Sequence, residues 1–96
     1  MIVIELIYKK PIEFIDQHVV AHRAYLDEAY KKGLLLFSGP KKPRNGGFII
    51  AQADKKTMES WIQHDPFYIE EIADYKVTEF SAIKGAPQFS DLLEKA

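Results

Sequence analysis

A histidine occupies a position in this 96-residue chain where a leucine is expected. The segment from Pro11 to Lys32 reads as one amphipathic helix whose apolar stripe runs Ile15, Val19, His22, Leu26 and Ala29. Steps of four and three residues repeat along one face of a 3.6-residue helix, and such a face turns to the core. A titratable imidazole there needs a partner or a task. One reading is a core-edge histidine with a ring nitrogen bonded to backbone. The other is a general base: a neighbouring carboxylate would fix the tautomer and stabilise the imidazolium. The tripeptide Asp65-Pro66-Phe67 offers such a carboxylate. Asp65 also reads as a helix cap, because an Asp before Pro accepts backbone N–H groups two and three residues on. A capping carboxylate keeps a second oxygen free, so the two roles are compatible.

Other polar residues carry weaker signals. His18 precedes His22 by four residues, a metal-ligand spacing, but no cysteine and no HExxH glutamate accompanies the pair, and no metal site is expected. His64 reads as a solvated helix-end residue. Lys41, Lys42 and Arg44 lie in the Gly/Pro-rich stretch SGPKKPRNGG, from Ser38 to Gly47. The stretch reads either as a solvated loop or as a lid that greets a carboxylate or phenolate. No GxGxxG, P-loop or GxSxG is present, so no nucleotide cofactor is expected. Trp61, Phe67 and Tyr68 read as core.

Six further elements must position these groups. Ile2 to Tyr8 is a β-branched strand, and Pro11 suits the first turn of the helix that follows. Gly33, after Lys31 and Lys32, is a helix stop. Leu34 to Phe37 and Phe48 to Ala53 read as strands. Asp54 caps a helix to about Gln63 or His64, with Met58, Trp61 and Ile62 on its apolar face. A short helix runs from Asp65-Pro66 through Ile72, and Tyr75 to Ile83 is a fourth strand. Gly85 to Gln88 is a linker before a tail, Phe89 to Ala96, with a helical turn capped by Ser90. The order is β-α-β-β-α-β, an α+β, ferredoxin-like pattern: a four-stranded antiparallel sheet with two helices on one face. The strands are nearly continuously apolar, whereas a sheet with one wet face alternates. Both faces are therefore expected to be buried, the second against another copy of the chain in a homodimer. The alternative is a monomer whose tail covers that face.

The totals bound the partners. The chain has 13 basic and 14 acidic side chains and a formal charge of −1, so it carries no strong field for nucleic acid or anionic membrane. Cysteine is absent, which removes disulfides and thiolate metal sites. The N-terminal apolar run lacks a basic leader and is broken by Glu5, so a signal peptide is not expected. No stretch approaches the ~18 apolar residues of a membrane span. The expected address is the cytoplasm.

Taken in order, several short motifs resemble the YciI-like (YCII-related) family: His22-x-x-Tyr25-Leu26, Gly33-Leu34-Leu35, Ser38-Gly39-Pro40, Gly47-Phe48-Ile49-Ile50, Asp65-Pro66-Phe67, Val77 and Phe80. The stretch SGPKKPRNGGFIIA is most similar to the branch that contains a dehydrochlorinase acting on a chlorinated hydroxyquinol. The resemblance covers residues 1 to 83 and leaves residues 84 to 96 as a tail packing on the domain or on the partner subunit. It implies subunits paired into a dimeric α/β barrel and a His22–Asp65 dyad as the active site. Ser38 and the backbone around Gly39 would bind substrate. The activity implied is cofactor-free acid/base elimination or isomerisation on a small aromatic or enolisable molecule. The competing reading is a non-catalytic accessory protein that binds a small anion in the same pocket.

Overall fold

The computed structural model describes residues 1–95. Its elements are β1 (Ile2–Tyr8), α1 (Ile12–Asp16), α2 (Val19–Lys31), β2 (Leu35–Pro40), β3 (Gly46–Ala51), α3 (Lys55–Ile62), α4 (Pro66–Ile69) and β4 (Ala73–Glu79), followed by a 3₁₀ turn at Pro87–Leu92. The four strands form one sheet in the order β2-β3-β1-β4, antiparallel throughout. The helices cover one face, as the βαββαβ pattern predicts. Ile2, Ile4 and Leu6 of β1, with Ile49 and Ala51 of β3, pack there against Ile15, Leu26, Ala29, Met58, Ile62 and Phe67.

The expected first helix is two. At Gln17 and His18 the backbone tightens, each N–H bonding the carbonyl three residues back, and His18 becomes the N-cap of α2. The offset sets Phe14 as well as Ile15 against the core. The stripe survives the break, with Ile15, Leu26 and Ala29 buried. Gly33 ends α2 at φ +75°: its N–H reaches the Tyr30 carbonyl and that of Leu34 reaches Ala29, the paired closure a left-handed glycine permits. Asp54 caps α3 through the Thr57 N–H at 2.7 Å.

The hairpin departs most from expectation. β2 runs on to Pro40 and β3 starts at Gly46, so the loop shrinks to five residues, 41 to 45. Two glycines allow this: a Cβ on Gly46 would lie 2.0 Å from the Leu6 carbonyl oxygen, and one on Gly47 would lie 2.9 Å from that of Gly39. A bulge between Leu35 and Phe37 shifts the register so that Phe37 pairs with Ile50 and Ser38 with Ile49. One extra residue exchanges the faces of all that follow. Phe37 thereby turns to the open face and Ser38 to the helix side.

Four smaller expectations are also corrected. The short helix after Asp65 stops at Ile69, because Glu71 takes φ +54° and the Ile72 N–H closes back on Phe67. The fourth strand spans Ala73–Glu79. The tail turn begins after Ala86, not at Ser90. Tyr68 is exposed rather than core. The open sheet face presents Ile7 (43% exposed), Phe37 (57%) and Phe48 (43%), with Phe89 of the tail edge-on to Phe37 at 6.4 Å. No described helix is long and apolar enough to cross a membrane.

Gly46→Ala should lower stability by about 1–3 kcal/mol, the usual cost of forcing atoms into a packed site. Gly39→Ala, which meets nothing within 4 Å, should stay within about 0.5 kcal/mol of the parent. Urea unfolding of both variants checks this.

Candidate active site

α2 carries His22 along the sheet, anchored by buried Leu26 and Ala29. Its imidazole lies flat on the Phe67 ring, with centroids 3.9 Å apart and planes 5° from parallel. Phe67 opens α4, where Pro66 occupies the first turn and Asp65 caps it. His22 and Asp65, 43 residues apart, meet here: Nδ1 lies 2.8 Å from Oδ1 of Asp65.

Asp65 both caps α4 and bonds His22, though not by the division of oxygens expected. Oδ1 accepts the Phe67 N–H at 3.0 Å as well as His22. Oδ2 is not free: it accepts the Tyr75 hydroxyl at 2.7 Å. The side chain of Asp65 is 0% exposed and that of His22 13%. Among the described residues no buried side-chain polar atom lacks a partner. A carboxylate only accepts, so the hydrogen-bond pattern assigns the proton to Nδ1 and leaves the lone pair on Nε2.

Tyr75 was not singled out in the sequence. It stands opposite Leu6 in the sheet, on the helix-covered side. A half-buried tyrosine in such a strand must find a partner for its hydroxyl, and this requirement was the available signal. Burial, and secondarily the charge of Asp65, push its ionisation well above the ordinary phenol range. Tyr25 is shifted the same way by the same two causes; its ring stacks on Trp61 at 5.0 Å and its hydroxyl donates to the Trp61 carbonyl.

His22 opens onto a cleft of about 260 Å³ between α2 and the β2–β3 hairpin. Val19, Leu26, Ile49 and Phe67 give it apolar walls, and Ser38, Gly39 and Gly47 lie on the sheet side. The Ser38 hydroxyl shares a 2.6 Å hydrogen bond with the Tyr30 hydroxyl, leaving a lone pair for a further donor. The basic cluster is divided. Lys41 pairs with Glu5 at 2.6 Å, holding the Glu5 carboxyl below its usual range. Arg44 pairs with Asp16 at 2.6 Å and borders the cleft. These pairs tie the hairpin tip to β1 and to the end of α1, in the stretch Ser38 to Gly47 that reads in the sequence either as a solvated loop or as a lid. His18 lies tilted against the Phe14 ring, with centroids 4.9 Å apart. His64 is exposed. Among the described residues no three His, Cys, Asp or Glu side chains converge on a metal position.

Tyr75→Phe should cost about 1–3 kcal/mol by leaving Oδ2 buried and unpaired. It should also change the alkaline limb of stability. Above the ordinary tyrosine pKa the unfolded chain releases the Tyr75 proton while the folded chain keeps it. Stability therefore falls as pH rises past about 10, by up to about 1.4 kcal/mol per pH unit for one such group. Unfolding at several alkaline pH values should give a shallower slope for Tyr75→Phe than for the parent.

Comparison with solved structures finds 5-chloro-2-hydroxyhydroquinone dehydrochlorinase (TftG) from Burkholderia phenoliruptrix, in complex with 2,5-dihydroxybenzoquinone, with a TM-score of 0.70 and 21% identity. The match covers 84% of this chain and 94% of that one and establishes the shared α+β fold. Among curated proteins none matches the chain significantly. A scan against protein families matches residues 1–81 to the YCII-related domain. That span contains His22, Ser38, Asp65 and Tyr75, and the chain belongs to the YCII-related family.

Proposed function

We propose that the cleft is the active site of a small enzyme that works by acid/base chemistry, with Nε2 of His22 as the base. The observation that carries this reading is the 2.8 Å bond from Nδ1 to a carboxylate whose remaining contacts are supplied by Phe67 and Tyr75. Asp65 holds the ring in one tautomer and stabilises the imidazolium that forms when Nε2 takes a proton. The flat contact with Phe67 fixes the plane of the ring, so Nε2 addresses one spot in the cleft. Ser38 and the backbone near Gly39 anchor an oxygen of the substrate.

The reaction class is proton removal coupled to elimination or isomerisation. The base takes the proton, the freed electron pair forms the new double bond, and in an elimination the leaving group departs with its own pair. The substrate is a small aromatic or enolisable molecule. The fold shared with a dehydrochlorinase supports chloride as one such leaving group. No step in this scheme calls for a cofactor.

The open sheet face belongs to the same proposal. Ile7, Phe37 and Phe48 there are large, apolar and exposed, and a second copy packed sheet on sheet would bury them, as in a dimeric α/β barrel. The segment 84 to 95 places Phe89 on Phe37 and extends that apolar surface. Charged replacement of Phe37 (Phe37→Glu) should turn a sedimenting dimer into a monomer. A parent that sediments as a monomer at micromolar concentration removes the dimer from the proposal.

Turnover is testable without knowing the natural substrate. The chain should release chloride from chlorinated hydroxyhydroquinones, or exchange solvent deuterium into small enolisable carbonyl compounds. His22→Ala should lower that rate by about 10²–10⁴-fold, the usual weight of a positioned general base, with the circular dichroism spectrum unchanged. An equally active His22→Ala refutes the role of the histidine.

A further inference from the structure

The cleft has a charge pattern that the dyad does not use. His22, Arg23 and Arg44 all border it, and no Asp or Glu does; Asp65 lies behind the imidazole. Arg44 is already matched by Asp16. Arg23 has no carboxylate within 4.0 Å among the described residues, and Asp27, one turn along α2, is not engaged with it. Arg23 follows His22 directly. Neighbouring residues on a helix leave it about 100° apart, so His22 reaches the base of the cleft while Arg23 stands at its rim.

We propose that Arg23 is the anchor for an anionic ligand in this cleft. The ligand class is a small planar ring bearing one ionised oxygen, a carboxylate or a phenolate, bound with its charge at Arg23 and its ring toward His22. The proposal rests on the cleft of the acid/base reading and names the class of molecule it admits. Arg23 is exposed at the rim of a concave, partly apolar site and has no counter-ion there. Its planar fork offers two parallel N–H groups that match a carboxylate edge. Size agrees, since about 260 Å³ lies just below the range that encloses drug-sized ligands and suits a single substituted ring. The walls agree too, with Val19, Leu26 and Phe67 presenting apolar surface to such a ring.

The test uses the full chain at neutral pH and four probes. Benzoate and benzamide share a shape and differ in charge, and 4-nitrophenolate and 4-nitroanisole do the same for a phenolic oxygen. Calorimetric titration should show benzoate or 4-nitrophenolate binding about tenfold tighter than its neutral counterpart. Arg23→Gln should remove that preference and leave the neutral probe within about twofold. Arg44→Gln should keep it, because the Arg44 charge is already taken by Asp16. If Arg23→Gln does not fold, Arg23→Lys serves, retaining the charge but losing the fork and showing a reduced preference. Equal binding of charged and neutral probes, equal weakening of both by Arg23→Gln, or no binding of any probe at millimolar concentration overturns the proposal. His22→Ala separates the two claims. The charge preference should survive in it while turnover is lost, so an active His22→Ala that still selects anions would sink the acid/base reading alone.

Discussion

The Asp65 carboxylate is out of water entirely, and α2, α4 and β4 each send it a donor: the imidazole of His22, the backbone N–H of Phe67 and the hydroxyl of Tyr75. A carboxylate in an apolar interior costs several kcal/mol unless it is fully paired. The helix layer and the edge strand must therefore settle together, because neither alone satisfies the group. This requirement ties the local geometry of a four-residue helix to the global arrangement of sheet and helices. It also fixes the orientation of the imidazole before any ligand arrives.

Phe67 is the second member of this arrangement. Its N–H meets Asp65 and its ring meets the imidazole face, so one residue constrains both halves of the pair. Pro66 and the closure at Glu71 and Ile72 hold that single turn at its two ends. On the opposite wall, the bulge in β2 brings the Ser38 hydroxyl to the helix side. The arrangement of the cleft thus depends on backbone irregularities as much as on side-chain identity: a cap, a left-handed residue and one extra residue in a strand.

How much of this was legible follows from which signals are local. The element order, the stripe with His22 on it, the caps at Asp54 and Asp65 and the stop at Gly33 rest on periodicity and short-range hydrogen bonding, and they match the structure. The break at Gln17 was hidden because a tightened turn needs neither glycine nor proline. The longer hairpin was hidden because Gly46 and Gly47 read as loop formers, whereas they serve close approach between paired strands. Tyr75 escaped notice because its partner comes from another element. Alternation along β4 could place it on the covered face but could not name Asp65. The meeting of His22 with Asp65 likewise required the fold, since nothing in a 43-residue separation measures a distance. Lys41 and Arg44 looked like one cluster because they are close in sequence, yet the turn between β2 and β3 sends one to Glu5 and the other to Asp16.

Gly47 forms part of the sheet side of the cleft, and it is also the place where β3 approaches the Gly39 carbonyl too closely for any side chain. The same missing Cβ therefore makes room for a ligand and permits the hairpin. A larger residue there would shallow the cavity only by prying β2 from β3, so the depth of the cleft is bound to the integrity of the strand pair. Substitution therefore has little freedom on this floor. The adjustable surfaces are the exposed helix face and the hairpin tip, where a substitution alters shape or charge without breaking a ladder.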